Sequence, residues 1–175
     1  STSSAASDVY KRQALQTAIW RRPAPDTIPT DAKAAGLYMI CTLSKHEAEK
    51  NGYSDALMLD YKGRISESTG SNIFFVINGE IHTPIPDCFL NGITRQTVID
   101  IAKSQNINVI EREIYPDEIK NADEIFLTGS AVEVTPVGKI DDQIFNVGEV
   151  TKTVSELYMN CLLYTSDAAD EVERG

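Results

Sequence analysis

The chain has 175 residues, carries 16 Lys and Arg against 26 Asp and Glu for a formal net charge of −10, and is 42% hydrophobic. That length and apolar content suit one folded domain and argue against disorder. The acidic balance excludes a protein that grips a phosphate backbone through a basic face. No apolar run reaches the ~20 residues of a membrane span, and the start, STSSAASDVYKRQ, lacks the apolar core of a secretory signal. A cytoplasmic protein with no nucleic-acid and no membrane partner is therefore expected. Cys41, Cys88 and Cys161 are odd in number and widely spaced, which fits neither a disulfide framework nor a zinc pattern.

Residues 1–13 are Ser- and Ala-rich, and 163–175 are polar and acidic. Both segments are expected to be non-native or disordered. Residues 14–30 are expected to be an interdomain or extended stretch, because three prolines fall within RRPAPDTIPT, 21–30. A helix is predicted over 31–50, with Thr30 or Asp31 as N-cap and an apolar stripe of Leu37, Ile40, Cys41 and Leu43 or Ser44. Asn51-Gly52 ends it. DALMLD, 55–60, reads as a buried strand, followed by a turn at Tyr61-Lys62-Gly63. Strands are predicted at 64–69 and 72–77, and Asn78-Gly79 makes a hairpin into EIHTP. Thr94 can cap a helix over 95–105 that turns Val98, Ile101 and Ala102 inward. A strand over 108–114, a short helix at PDEIKNA, strands at 124–129 and 133–137, a hairpin turn at Asp141-Asp142 and an amphipathic helix over 148–162 complete the order. The class is α/β, or α+β, with a mixed sheet.

Few residues in this pattern can carry chemistry. Placed on the 31–50 helix, Lys33 shares a face with Leu37 and Ile40. An amine there is a desolvated nucleophile of the kind Schiff-base chemistry uses, or a lysine that snorkels from the helix start to water. Glu67 shares a strand face with Ile65. Facing inward, it needs a cation such as a pyridinium nitrogen; at a sheet edge it would be solvated. Gly92-Ile93-Thr94-Arg95 enters a helix whose first N–H groups can bind phosphate, or is an ordinary capped start. Thr128-Gly129-Ser130-Ala131 follows a buried strand and offers N–H groups and a hydroxyl to a second anion, or is a tight turn. His46 and His82 have no partner spacing and read as surface or structural. A lysine, an inward acid and two anion-binding turns together compose a pyridoxal phosphate site.

The stretches Glu67-Ser-Thr-Gly-Ser-Asn72-Ile-Phe74, Ile81-His-Thr83 and Leu90-Asn-Gly92-Ile93-Thr94-Arg95 resemble the fold-type IV pyridoxal phosphate enzymes, most nearly a branched-chain amino acid aminotransferase. Ala-Lys33-Ala-Ala-Gly36-Leu-Tyr38 and Phe126-Leu-Thr-Gly129-Ser130-Ala131 are similar to the family's lysine segment and second anion loop. The resemblance implies that 31–162 is the large C-terminal domain of such an enzyme, without the small N-terminal domain that supplies a phosphate-binding arginine and much of the side-chain pocket. It implies pyridoxal 5′-phosphate as cofactor, amino acid and 2-oxo acid substrates and a homodimer. Lys33 would bond to the cofactor and shuttle the substrate Cα proton. Glu67 would pair with the pyridine nitrogen, Tyr38 with the phenolic oxygen, and Leu90 would pack on the ring. Ile93, Thr94 and Ser130 would hold the phosphate, Gly92 and Gly129 would also bind the cofactor, and Ser130 and Ala131 would face the substrate carboxylate. Ser130 stands where the family usually has Thr, and the turn between Pro84 and Leu90 is slightly short. Transamination between a branched-chain L-amino acid and 2-oxoglutarate is the activity implied. The alternatives are a D-amino acid aminotransferase or an aminodeoxychorismate lyase of the same fold, or a fragment that folds without catalysing.

Overall fold

The structure, a computed structural model, describes residues 12–30 and 32–172. Its first element is β1 (Gln13–Arg22), which lies between a parallel β2 (Asp55–Asp60) and a parallel β8 (Glu133–Ile140). The first part of the segment expected to be interdomain or extended is thus a strand of the sheet. β1 escapes a pattern reading because its register slips between Thr17 and Arg21, leaving Ile19, Trp20 and Arg21 exposed. The Asp141 carboxylate holds this stretch by accepting from the Thr17 N–H and hydroxyl. Pro23 ends β1, since it has no N–H to donate. The proline-rich run then turns instead of staying extended, with the Thr27 N–H donating to the Ala24 carbonyl at 3.0 Å.

Helix α1 spans Met39–Lys50, after a single 3-10 turn at Ala35–Leu37. The helix predicted over 31–50 therefore starts eight residues late. Thr30 does not cap it; its hydroxyl donates to the Asp87 carbonyl, Asp31 lies outside the described residues, and Ala34 is extended. Gly36, with its high backbone entropy, does not favour helix there. Lys33 consequently precedes the helix and is exposed, so the shared apolar face with Leu37 and Ile40 does not form. The buried stripe is Leu37, Cys41, Ser44 and Ala48. Gly52, at φ 85°, closes α1 as expected.

β3 (Ile65–Ser68) pairs antiparallel with β2. β4 (Asn72–Ile77) pairs antiparallel with β5 (Glu80–Pro84) through a turn whose Asn78 and Gly79 both have positive φ, the geometry of a two-residue hairpin. α2 (Ile93–Ser104) connects β5 to a parallel β6 (Val109–Arg112). Its N-cap is Gly92, not Thr94, and no side chain caps it. After a 3-10 turn at Pro116–Asn121 come β7 (Glu124–Gly129), β8, the hairpin at Asp141-Asp142, β9 (Gln143–Ile144) and α3 (Glu149–Val172). α3 runs past the predicted end at 162 into the segment expected to be disordered.

The strand order is β3-β2-β1-β8-β7-β4-β5-β6, and the additional β3–β4 pairing at Glu67 and Asn72 closes six strands into a ring. Alternation along the strands then sorts two cores. Leu15, Leu57, Ile73, Phe75, Ile125, Leu127 and Val137 form one. Phe74, Val76, Phe126, Val98, Ala102 and Val154 form the other, which joins the strands to α2 and α3. In it the Phe74 and Phe126 rings stack at 4.9 Å, worth about 0.5–1.5 kcal/mol beyond area burial. No helix among the described residues is long and apolar enough to cross a membrane.

Candidate active site

The ring closure leaves a cavity of about 240 Å³ at the β3–β4 seam. Its floor is Glu67 at the end of β3, then Gly70 and Ser71 in the turn and Asn72 at the start of β4. One wall is the 90–94 segment, with Leu90, Gly92, Ile93 and Thr94 where α2 begins. The opposite wall is the end of β7, with Thr128, Gly129, Ser130 and Ala131. Lys33 and Tyr38 line the cavity from the segment that leads into α1. All ten residues singled out from the sequence thus border one space, although Lys33 and Ala131 are almost one hundred positions apart in the chain. A larger groove of about 750 Å³ runs between residues 131–136 and α3. It brings no amine and no buried charge, since Glu133 and Glu156 are its ionisable side chains and neither is buried.

Glu67 is the electrostatic centre. It is 7% exposed, and burial pushes its carboxyl up to about 8, opposed by Arg22 and reinforced by Asp55. The Arg22 Nε lies 3.6 Å from Glu67 Oε1, too far for a hydrogen bond of ordinary length. Arg22 spends its donors elsewhere, Nε on the Cys88 carbonyl at 3.0 Å and Nη1 on the Leu37 carbonyl and Cys41 Sγ, each at 3.5 Å. The acid is therefore partly neutralised from behind and open toward the cavity. Burial, then the neighbouring Glu67 charge, also raises the Tyr38 phenol. Lys33, Ser130 and Ala131 are exposed, as is Ile93.

Two glycines set the walls. A Cβ on Gly92 would sit 2.7 Å from Asn72 Oδ1, and one on Gly129 2.9 Å from Ser71 Oγ; both positions admit only backbone. The first turn of α2 leaves its leading N–H groups without intrahelical acceptors, and its dipole favours an anion there. On the other wall the Thr128 hydroxyl is buried with no hydrogen-bond partner. The sequence reading missed Arg22, and it gave Asn72, Gly70 and Ser71 no task. Arg22 sits beside Pro23 in a stretch with no strand pattern, so its burial is invisible without β1. His82 accepts from Arg112 Nε at 2.9 Å and His46 is exposed; both lie away from the cavity.

The structure aligns with a crystal structure of a branched-chain aminotransferase from Thermoproteus uzoniensis with norvaline at a TM-score of 0.83, 38% identity, 86% of this chain and 51% of that one. An aminotransferase from Brucella abortus bound to the cofactor PLP aligns at 0.82, 38% identity, 86% of this chain and 54% of that one. Among curated proteins, the Escherichia coli branched-chain-amino-acid aminotransferase is 39% identical over 158 residues, 87% of this chain and 50% of that protein. The chain spans about half the length of the curated relatives it matches. The family model described as amino-transferase class IV matches residues 1–140. With the same mixed α/β fold as these enzymes and a match over most of its length, the chain belongs to the class IV amino-transferase family.

Proposed function

We propose that this chain forms the cofactor-binding half of a pyridoxal 5′-phosphate enzyme that transfers amino groups between branched-chain L-amino acids and 2-oxoglutarate. The observation that carries the reading is Glu67, a buried acid with its charge incompletely met, on the floor of a cavity whose walls are a helix N-terminus and an amine. The residues fit the group. Glu67 offers a counter-charge for a protonated ring nitrogen, the uncapped start of α2 offers N–H groups for a phosphate, and the unpartnered Thr128 hydroxyl needs an acceptor or donor. The branched-chain assignment draws on the relatives, which are named for that activity.

When bound, the cofactor supplies an electron sink for the pair left as the substrate Cα–H bond breaks. The chain supplies the rest. Lys33 would hold the cofactor through its amine and would carry the substrate Cα proton. Glu67 keeps the ring nitrogen protonated, and Arg22 behind it favours the carboxylate that this requires. Tyr38 donates to the phenolic oxygen, Leu90 packs on the ring, Ile93, Thr94 and Ser130 hold the phosphate, and Gly92 and Gly129 let the backbone approach it. Ser130 and Ala131 face the substrate carboxylate. The homodimer belongs to the same reading. Ile19, Trp20, Met39 and Leu43 are exposed on β1 and α1, and apolar surface of that kind favours a partner. So does action in the cytoplasm, in either the synthesis or the breakdown of these amino acids.

The test is amino transfer to 2-oxoglutarate from leucine, isoleucine and valine, with D-alanine beside them. Transfer from the three L-amino acids and not from D-alanine is the expected result. Transfer from D-alanine alone would overturn the branched-chain assignment in favour of a D-amino acid aminotransferase.

A further inference from the structure

We propose that Asn72 is a positioning residue that latches the 90–92 turn to the acid-bearing hairpin and so sets how deep an anion rides on the start of α2. The proposal rests on the pyridoxal phosphate reading above and deepens it.

The Asn72 amide is used on both sides. Nδ2 donates to the Leu90 carbonyl at 3.0 Å, and Oδ1 accepts from the Gly92 N–H at 3.2 Å. This is the amide orientation that matches donor to acceptor at both ends. The side chain is anchored from below, because Asn72 pairs with Glu67 of β3 and Thr128 of β7 and is 6% exposed. Its backbone cannot shift without breaking a ladder on either side. The turn is pressed against it, since a Cβ on Gly92 would meet Oδ1 at 2.7 Å.

The consequence is a sorting of donors. Asn72 consumes the Gly92 N–H, while the Gln96 N–H is already bonded to the Gly92 carbonyl at 3.1 Å. The N–H groups of Ile93, Thr94 and Arg95 lie between, in a first turn with no side-chain cap, and these are the ones left for an anion. One amide therefore couples the height of the phosphate cradle to the strand that carries Glu67, which faces the other end of the same ligand. Only an amide can do this. A carboxylate would set a negative charge against the Leu90 carbonyl and beside a dianion, and an alanine would leave both groups of the turn unpaired.

The experiment titrates the protein and its Asn72→Ala and Asn72→Asp variants with pyridoxal phosphate and, separately, with pyridoxal, which has the ring and aldehyde but no phosphate. Absorbance reports binding, and amide hydrogen exchange is followed at Gly92. The expected result is that the preference for the phosphorylated form falls about tenfold in Asn72→Ala and further in Asn72→Asp. Pyridoxal affinity stays within about threefold in both, and Gly92 exchanges faster in Asn72→Ala. An unchanged preference in both variants, or an equal loss of both ligands, would overturn the positioning role. If the unmutated protein binds neither ligand, the functional reading falls first and this proposal with it.

Discussion

Arg22 and Glu67 face each other across 3.6 Å, both almost wholly buried, from strands that β2 separates in the sheet. By distance they are an ion pair, yet burial still lifts the Glu67 carboxyl to about 8. The pairing is incomplete because Arg22 directs its Nε to the Cys88 carbonyl and its Nη1 to Leu37 and Cys41. Arg22 thus ties β1 to α1 and to the 85–90 loop, and lends Glu67 part of a counter-charge.

Arg22→Met is expected to raise the Glu67 carboxyl further and to destabilise the protein. Breaking a buried pair costs about 3 kcal/mol or more. The loss should grow as pH rises past about 8, where Glu67 is charged and Arg22 is its nearest cation. Urea unfolding at two pH values checks this, and a loss that shrinks with rising pH would show that Arg22 does not serve Glu67.

The raised Glu67 carboxyl has a second consequence. A group protonated more tightly in the folded than in the unfolded state contributes stability that is fully present below the unfolded value and lost as pH rises through the folded one. Protein without cofactor should lose stability between roughly pH 4.5 and 8, and Glu67→Gln should flatten that slope. Loading with pyridoxal phosphate should flatten it too, because a protonated ring nitrogen lets Glu67 ionise. Glu67→Ala should cut turnover by several orders of magnitude, since a neutral pyridine is a poor electron sink. Thermal melts across pH and steady-state rates are the measurements.

Lys33 carries the covalent chemistry in the proposed mechanism. Treating the cofactor-loaded protein with borohydride should fix the cofactor onto Lys33, with the added mass found on the peptide containing that residue. Lys33→Ala should lower turnover by at least about 10²–10⁴-fold, the range that positioned proton transfer supplies. Label on another lysine would end the assignment.

Far from the cavity, the buried Glu124 carboxylate accepts from the Val150 and Thr151 N–H groups at 3.3 and 2.8 Å and so takes the place of a cap on α3. A Cβ on Gly148 would overlap that carboxylate. Gly148→Ala should therefore cost about 1–3 kcal/mol, the usual range for overpacking. The loss should appear as a lower melting temperature with unchanged cofactor affinity.

Local chemistry determined much of this protein. The Asn78-Gly79 hairpin, the apolar run of β4, the glycine stop after α1 and the Gly-Ile-Thr-Arg helix entry each depend on neighbours a few residues away, so they were legible in the sequence, and the site motifs lie on them. Tertiary structure decided three other things. β1 formed where the pattern was broken, because two parallel neighbours supply its hydrogen bonds. α1 started late, which took Lys33 off the helix and into a segment beside the cavity. Arg22 was buried against Glu67, a contact between residues 45 positions apart. Each depends on chain closure across long sequence separations, and no periodicity within a window of a dozen residues reports which distant strand will stand alongside.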